Sequence, residues 1–470
     1  MNRYLFLLLL VFSNANAQKK TFSDSIIVQA KIWNKDSLKN ITYSDWKPFT
    51  SHTVKMLDGF QEKKILFSRF GGNAEMKAQA SGFFKATKVG ARWWIIDPDG
   101  HPFYNLAVNS IRPGSSQANN TFLIEKFGTL DKWQSVTVDS LRSLGFNASG
   151  SWSDTTAIFS YNSKSTSPFP YTLQLNLLSS FTQSGVKKEV DASYPTLAHV
   201  FNPAFDSFVK EKLARIASHN KDPFLFGYFS DNELAFQEDL LSKFLAINSQ
   251  NDGAYVFART WLSTNAPNFT VVTKELKELF SGAVASYYYQ HCSDLLKKAD
   301  SNHMYLGSRL HSSAKNNPYL LAAAEQYLDI ISINYYGSWA VSEKNSKQWA
   351  SLKKPFMITE FYTKAMDANM DNISGAGWIV KTQEERGIHY QNFALTLLTN
   401  KNCVGWHWFR YQDNDPSDNT ADPSNKDSNK GVVDTKYNWY PPLCIKMKEL
   451  NTNIYTIINF LDQSNVSFPR

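Results

Sequence analysis

The chain has 470 residues, 43% hydrophobic and 19% charged, which is enough apolar material for a large core and carries no signature of disorder. Its formal net charge of +7, from 49 basic and 42 acidic residues, is spread without a long Lys/Arg run. That argues against nucleic-acid binding and leaves a mild bias toward anionic polysaccharide. Three cysteines, Cys292, Cys403 and Cys444, make no disulfide framework, and the absence of CxxC and HExxH patterns gives a zinc site no support.

At the N-terminus, Arg3 precedes the apolar run 4–12 and a polar stretch ending Ala15-Asn16-Ala17. A basic start, a short apolar core and a small-x-small site predict a secretory signal peptide over 1–17, and hence an exported protein, periplasmic or secreted. The run is too short for a membrane anchor, which needs about 20 apolar residues. Residues 18–80 predict a strand-rich or irregular extension packed on the domain that follows, which occupies 81–470.

That domain opens with a hairpin, 82–86 and 92–96, followed by the turn residues Asp97-Pro98-Asp99-Gly100. Eight strand candidates follow, at 104–109, 145–149, 171–175, 225–229, 304–309, 330–334, 356–359 and 404–409. Most are near-continuous apolar runs, as parallel strands buried on both faces require. Helical patterns separate them, among others at 204–219, 281–299, 314–327 and 382–398. This alternation predicts an α/β fold, a (β/α)8 TIM barrel. The stretch 413–430, rich in Asp, Asn, Ser and Pro, predicts a long substrate-side or solvated loop after the eighth strand, and its acidic spacing fits no EF-hand calcium loop.

Catalytic groups of such barrels sit at the C-terminal ends of the strands. Glu233 ends the fourth strand and Glu360 the seventh, so both face one cleft. Retaining glycosidases use two carboxyl groups about 5–5.5 Å apart, one as nucleophile and one as acid then base. A single strand-end glutamate is more often a salt bridge or a cap; the pair, with Asn232 directly before Glu233, is far more specific. The 14% of aromatic residues supply either a large core or rings for a sugar cleft.

The segment Arg92-Trp93-Trp94-Ile95-Ile96-Asp97-Pro98-Asp99-Gly100-His101-Pro102-Phe103 resembles a signature of the β-agarases of glycoside hydrolase family 50. Further matches follow in order: Trp152-Ser153-Asp154, Asp231-Asn232-Glu233-Leu234, Tyr305-Leu306-Gly307-Ser308-Arg309, Ile358-Thr359-Glu360-Phe361 and Gly405-Trp406-His407-Trp408-Phe409. The resemblance covers about residues 82–440. It implies a retaining, exo-acting or oligosaccharide-processing agarase-like enzyme that needs no cofactor, with Glu233 as acid/base and Glu360 as nucleophile. It also implies that Asn232 bonds a sugar 2-hydroxyl. The family usually carries a carbohydrate-binding-like domain before the barrel, where this chain has only 18–80, so carrageenan, porphyran or another β-linked glycan stays open as substrate. A catalytically dead polysaccharide-binding barrel is the rival of another class, and it predicts a missing carboxyl.

Supporting contacts are expected from Asn109 and Arg112 after strand one, Trp152 and Asp154 after strand two, and Arg309 and His311 at the end of strand five. Tyr336, or its neighbour Tyr335, is placed to bond the nucleophile, and Trp408 to form the platform under the sugar. For each of these the plainer reading is a structural residue of the barrel.

Overall fold

The eight apolar runs become eight parallel strands of one sheet in the computed structural model, which describes residues 21–35, 41–185, 194–422, 424 and 426–462. The expected signal peptide lies outside the described residues. The strands are β1 Asn105–Val108, β2 Ala148–Ser149, β3 Tyr171–Gln174, β4 Leu225–Phe229, β5 Met304–Gly307, β6 Ile331–Asn334, β7 Phe356–Phe361 and β8 Cys403–Trp408. Their order around the sheet runs 5-4-3-2-1-8-7-6. The seam between β5 and β6 is closed by Leu310, whose N–H donates to Ser332 O and whose carbonyl accepts from Asn334 N, both at 2.8 Å. The fold is therefore a TIM barrel.

Local chemistry explains where strands shrink or bend. Gly145, at φ 78°, turns the chain before β2, and the Asn147 side chain replaces the missing ladder. Its Oδ1 accepts from Leu106 N and its Nδ2 donates to Tyr104 O, both at 2.9 Å. β5 stops at Gly307, φ 79°, because the twist that delivers Leu310 to β6 needs a left-handed residue there. A side chain at Gly405 would collide with the Asn105 carbonyl across the β1–β8 contact.

The helices start where cap residues permit. Thr382 and Glu385 form a reciprocal capping box ahead of Gln383–Leu398. Asn317 caps Pro318–Tyr327, with proline in the first turn where its missing N–H costs nothing. The helix Lys274–Ala299 begins seven residues earlier than its apolar pattern predicts, since Thr273 supplies the cap.

The hairpin Lys85–Val89 with Arg92–Ile96 plugs the N-terminal mouth of the barrel. Phe84, Ile95 and Phe103 pack there against Phe226, Met304, Met357 and Val404 from the strands. The guanidinium of Arg92 is fully buried and reaches past the plug to Asp462, with Nε at 2.7 Å and Nη2 at 2.9 Å from the carboxylate. Upstream, Ile26–Lys35 and Ile41–Ser51 form an antiparallel pair that adds to Trp378–Val380, and Thr363–Ala365 completes that small sheet beside the end of β7. Cys292, Cys403 and Cys444 are all buried and unpaired. No helix among the described residues is long and apolar enough to cross a membrane.

Removing one partner of a buried ion pair strands the other charge, at a cost of about 3–5 kcal/mol. Arg92→Ala is therefore expected to lower unfolding stability by about that amount. Denaturant unfolding checks it, and a loss below about 1 kcal/mol would show that the pair is not anchoring the plug.

Candidate active site

The lower barrel is apolar, and the upper barrel is lined by polar side chains. His407, Asn109, Ser149 and Arg309 are all fully buried there, toward the C-terminal ends of the strands. Such groups are costly to bury unless bonded, so their concentration marks the functional end.

Glu360 sits in β7 and is 6% exposed. Its Oε1 lies 2.7 Å from Arg309 Nη2, and its Oε2 accepts from the Tyr336 hydroxyl. Arg309 comes from just past β5 at φ 53°, a left-handed backbone that turns its side chain across the barrel. Its Nη2 also donates to Thr359 O at 2.9 Å, and its guanidinium carbon lies 5.4 Å from the Phe229 ring and 6.0 Å from that of Trp152. Burial pushes the Glu360 carboxyl above its ordinary range; Arg309 opposes that, the nearby Glu233 charge adds to it, and the Tyr336 hydrogen bond opposes it again.

Glu233 is half-buried in the loop after β4, at φ 52°, with its N–H donating to Ser308 O at 3.0 Å. Its Oε1 accepts from Asn334 Nδ2 at 2.8 Å. The same Nδ2 lies 3.3 Å from Asn232 Oδ1, while Asn334 Oδ1 accepts from Thr359 Oγ1 at 2.8 Å. Asn334, at the end of β6, thus ties the strand before Glu360 to Glu233 itself. Beneath them, fully buried Asp231 accepts from Leu178 N, Ser179 N, Ser179 Oγ and Tyr288 OH at 2.6–3.0 Å, fixing the loop that presents Glu233.

The other expected residues divide. Asn109 donates to Thr359 O at 2.8 Å, and its Oδ1 is buried without a protein partner. His311 has a buried, unpartnered Nδ1, and burial and the Lys315 charge lower its pKa while Glu360 raises it. Trp152 is half-buried beside Arg309. Arg112 is exposed at the rim. Tyr336 is the phenol that bonds Glu360; Tyr335 instead turns outward, its ring 5.6 Å from Trp349 and its hydroxyl accepting from Ser342 N.

Asp154 has a structural duty, and one expectation, the Trp408 platform, needs correction. Asp154 caps the helix Thr155–Lys164 by accepting from Ala157 N at 2.9 Å, and lines a surface cavity of about 600 Å³ against Leu130 and Gln134. Trp408 has no exposed surface: its Nε1 donates to Lys430 O at 3.0 Å, and its ring packs on Phe361, Tyr390 and Arg386 in the strand–helix layer. A buried ring is no sugar platform. The next residue, Phe409, points the other way, 6.0 Å from Tyr362, which in turn lies 5.4 Å from Tyr336.

Three residues had been overlooked: Asn334, Phe409 and Lys430, whose Nζ lies 4.9 Å from the Tyr362 ring and whose charge acts on Glu360. Asn334 was signalled by a polar residue closing an apolar strand run. The other two had no separate signal. The acidic spacing of 413–430 is turn chemistry: Asp415, Asp418 and Asp422 each accept from the backbone N–H two residues on, at 2.7–2.9 Å.

A TIM barrel with two glutamates at the ends of β4 and β7, one gripped by an arginine and a tyrosine, defines a glycosidase-type active site. No family model matches the chain. Among solved structures, BpGH50 is 30% identical, with a TM-score of 0.80 over 93% of this chain and 96% of that one. The chain belongs to glycoside hydrolase family 50. It is also 23% identical to beta-agarase B of Vibrio sp. (strain JT0107) over 83% of its own length, and spans half the length of that curated relative. The agarase AgWH50C shares the fold at 22% identity and a TM-score of 0.69, covering 84% of this chain and 67% of that one.

Because Arg309 opposes the burial effect on Glu360, Arg309→Met is expected to raise the carboxyl pKa further. A carboxyl with a raised pKa is protonated at higher pH, so its titration midpoint in the variant should move toward neutrality. Isotope-edited infrared titration of the carboxyl reads this directly, and a midpoint that stays put or falls would show that Arg309 does not set the charge of Glu360.

Proposed function

We propose that the protein is a retaining glycoside hydrolase that cleaves β-galactosidic bonds of agarose-type algal galactans or their oligosaccharides, acting from a chain end. The observation that carries the reading is the asymmetric grip on the two carboxyls. Glu360 is fixed by a cation and a phenol, as a nucleophile must be held to meet an anomeric carbon. Glu233 is half-exposed and held by one amide, leaving its second oxygen for a leaving group.

In the first step Glu233 donates its proton to the glycosidic oxygen while a Glu360 oxygen attacks the anomeric carbon. Arg309 and Tyr336 hold the other lone pairs of Glu360 so that one trajectory is favoured. The glycosyl ester then forms and the aglycone leaves. In the second step Glu233, now a carboxylate, takes a proton from water as it attacks the same carbon, and Glu360 departs. Two displacements give net retention. Asn232 and Asn109 offer amides to the hydroxyls of the sugar ring. The basic, apolar, small-x-small start of the chain supports export, where a polymeric substrate is met.

The same machinery on another β-linked glycan, such as carrageenan, porphyran or another β-galactoside, is the second reading. Incubation with agarose, porphyran, carrageenans and their oligosaccharides, with product separation, distinguishes the two. A single disaccharide from agarose supports the first, and cleavage of another galactan alone supports the second.

Glu360→Gln is expected to lower turnover by at least about 10³-fold while leaving the fold and sugar binding intact. Glu233→Gln should lower it by about 10²–10⁴-fold on natural substrate, and far less on aryl glycosides whose leaving group needs no proton. Near wild-type activity of either variant on polysaccharide would overturn the assignment.

A further inference from the structure

The rim where β1 and β8 meet carries a positive cluster with no catalytic duty. β1 and β8 run side by side, with Trp408 paired to Val108 and Tyr411 N donating to Asn109 O. This brings the segments holding Arg112 and Arg410 together. Arg410 is only 8% exposed, yet among the described residues its guanidinium meets just one side-chain acceptor, the amide oxygen of Asn414, and its Nε is buried without a partner. Arg112 is exposed. Among the described residues neither guanidinium touches a carboxylate.

The nearby acids are committed elsewhere. Asp413 accepts from Lys430 N, Gly431 N, Asn429 Nδ2 and Tyr440 OH at 2.6–2.9 Å. Asp422 turns onto its own loop at Ser424 N. Lys430 adds a third basic side chain, flanked by the rings of Tyr362 and Phe409, its pKa pushed well down by burial and then by the charges of Lys364 and Arg410. Burial, and then the charge of Arg112, lower the Arg410 pKa to about 10, with Asp413 and Asp422 opposing. A buried cation pressed against others is costly unless an anion completes the site.

We propose that Arg112 and Arg410 form a subsite for an anionic substituent, a sulfate ester or a carboxylate, on the sugar bound on the nucleophile side of the cleft. Guanidinium forks match the paired oxygens of either group, whereas a neutral sugar hydroxyl would leave the charges uncompensated. The location follows from the mechanism above, on which the inference rests: the glycone is the part that joins Glu360, and β8 and β1 continue the barrel rim on the far side of β7 from Glu233. The site then also accepts agarose-type galactans that carry a charged substituent close to the cleavage point.

The test is calorimetric binding to the Glu360→Gln protein, which removes turnover. Three probes are used: a sulfated red-algal galactan tetrasaccharide, the same tetrasaccharide after desulfation, and a uronate-containing tetrasaccharide. At least one charged probe is expected to bind about tenfold or more tighter than the desulfated one, with a gap that narrows as salt is added. Which probe gains tells sulfate from carboxylate. Adding Arg112→Gln, at an exposed position where folding is not at risk, should cost the charged probe at least about fivefold more than the neutral one. Arg410→Gln should do the same where its fold is retained by circular dichroism. Equal affinity for charged and neutral probes, or equal losses in Arg112→Gln, overturns the anion subsite and leaves the hydrolase reading standing. Failure of all three probes to bind, with galactans left uncut by the wild type, overturns both.

Discussion

The ion pair between Arg309 and Glu360 is the contact on which both the site and the barrel seam depend. Arg309 stands where the sheet must close, between Gly307 and Leu310, and two left-handed residues in that stretch deliver Leu310 to β6. The same twist aims the guanidinium inward, where it meets the Glu360 carboxylate and the Thr359 carbonyl beside it. Backbone strain at a functional position is stable only when the surroundings hold it. Here the hydrogen bond from Arg309 N to Ser332 Oγ and the ion pair together do so. Closure of the fold and charge control of the site are one event.

The barrel divides electrostatically along its axis. At the N-terminal mouth the aromatic plug excludes water and supplies hydrophobic burial without chemistry. At the C-terminal mouth buried arginines, histidines and asparagines face one another, with several polar atoms lacking protein partners. Asn109 Oδ1, His407 Nδ1 and Arg309 Nε are among them, gathered beneath the carboxyl pair. Unsatisfied groups at such a position lower stability, and a polyhydroxylated substrate or ordered water offers the missing bonds. The stability supplied by the lower half makes the upper half tolerable.

Much of the fold was legible from periodicity. Near-continuous apolar runs separated by capped helical stretches specify parallel strands under helices; six of the eight strands lie within the predicted runs, and β8 starts one residue before its run, at Cys403. The exceptions have local causes. β2 contracts because Asn147 substitutes a side-chain ladder, and β7 runs on to Phe361 because β8 pairs with it that far. Glu233 and Glu360 were legible as strand-end acids, and Tyr336 as a phenol near one of them. Trp408 was not legible as a helix-layer residue, because a residue type suited to sugar contact says nothing about which way the side chain turns. At the end of β8 the strand sends Trp408 into the helix layer, away from the cleft.

The sequence by itself determined the barrel, the two strand-end glutamates and the order of motifs that places the chain in its family, because these depend on local periodicity and spacing along the chain. The tertiary structure alone decided how the glutamates differ. Arg309, Tyr336 and Asn334 come from β5 and β6, and only closure of the sheet brings them to carboxyls on β7 and β4. It also decided that Arg112 and Arg410, 298 positions apart by their numbering, share one rim. Electrostatics acts through space over a few ångströms, and no pattern along the chain encodes those separations.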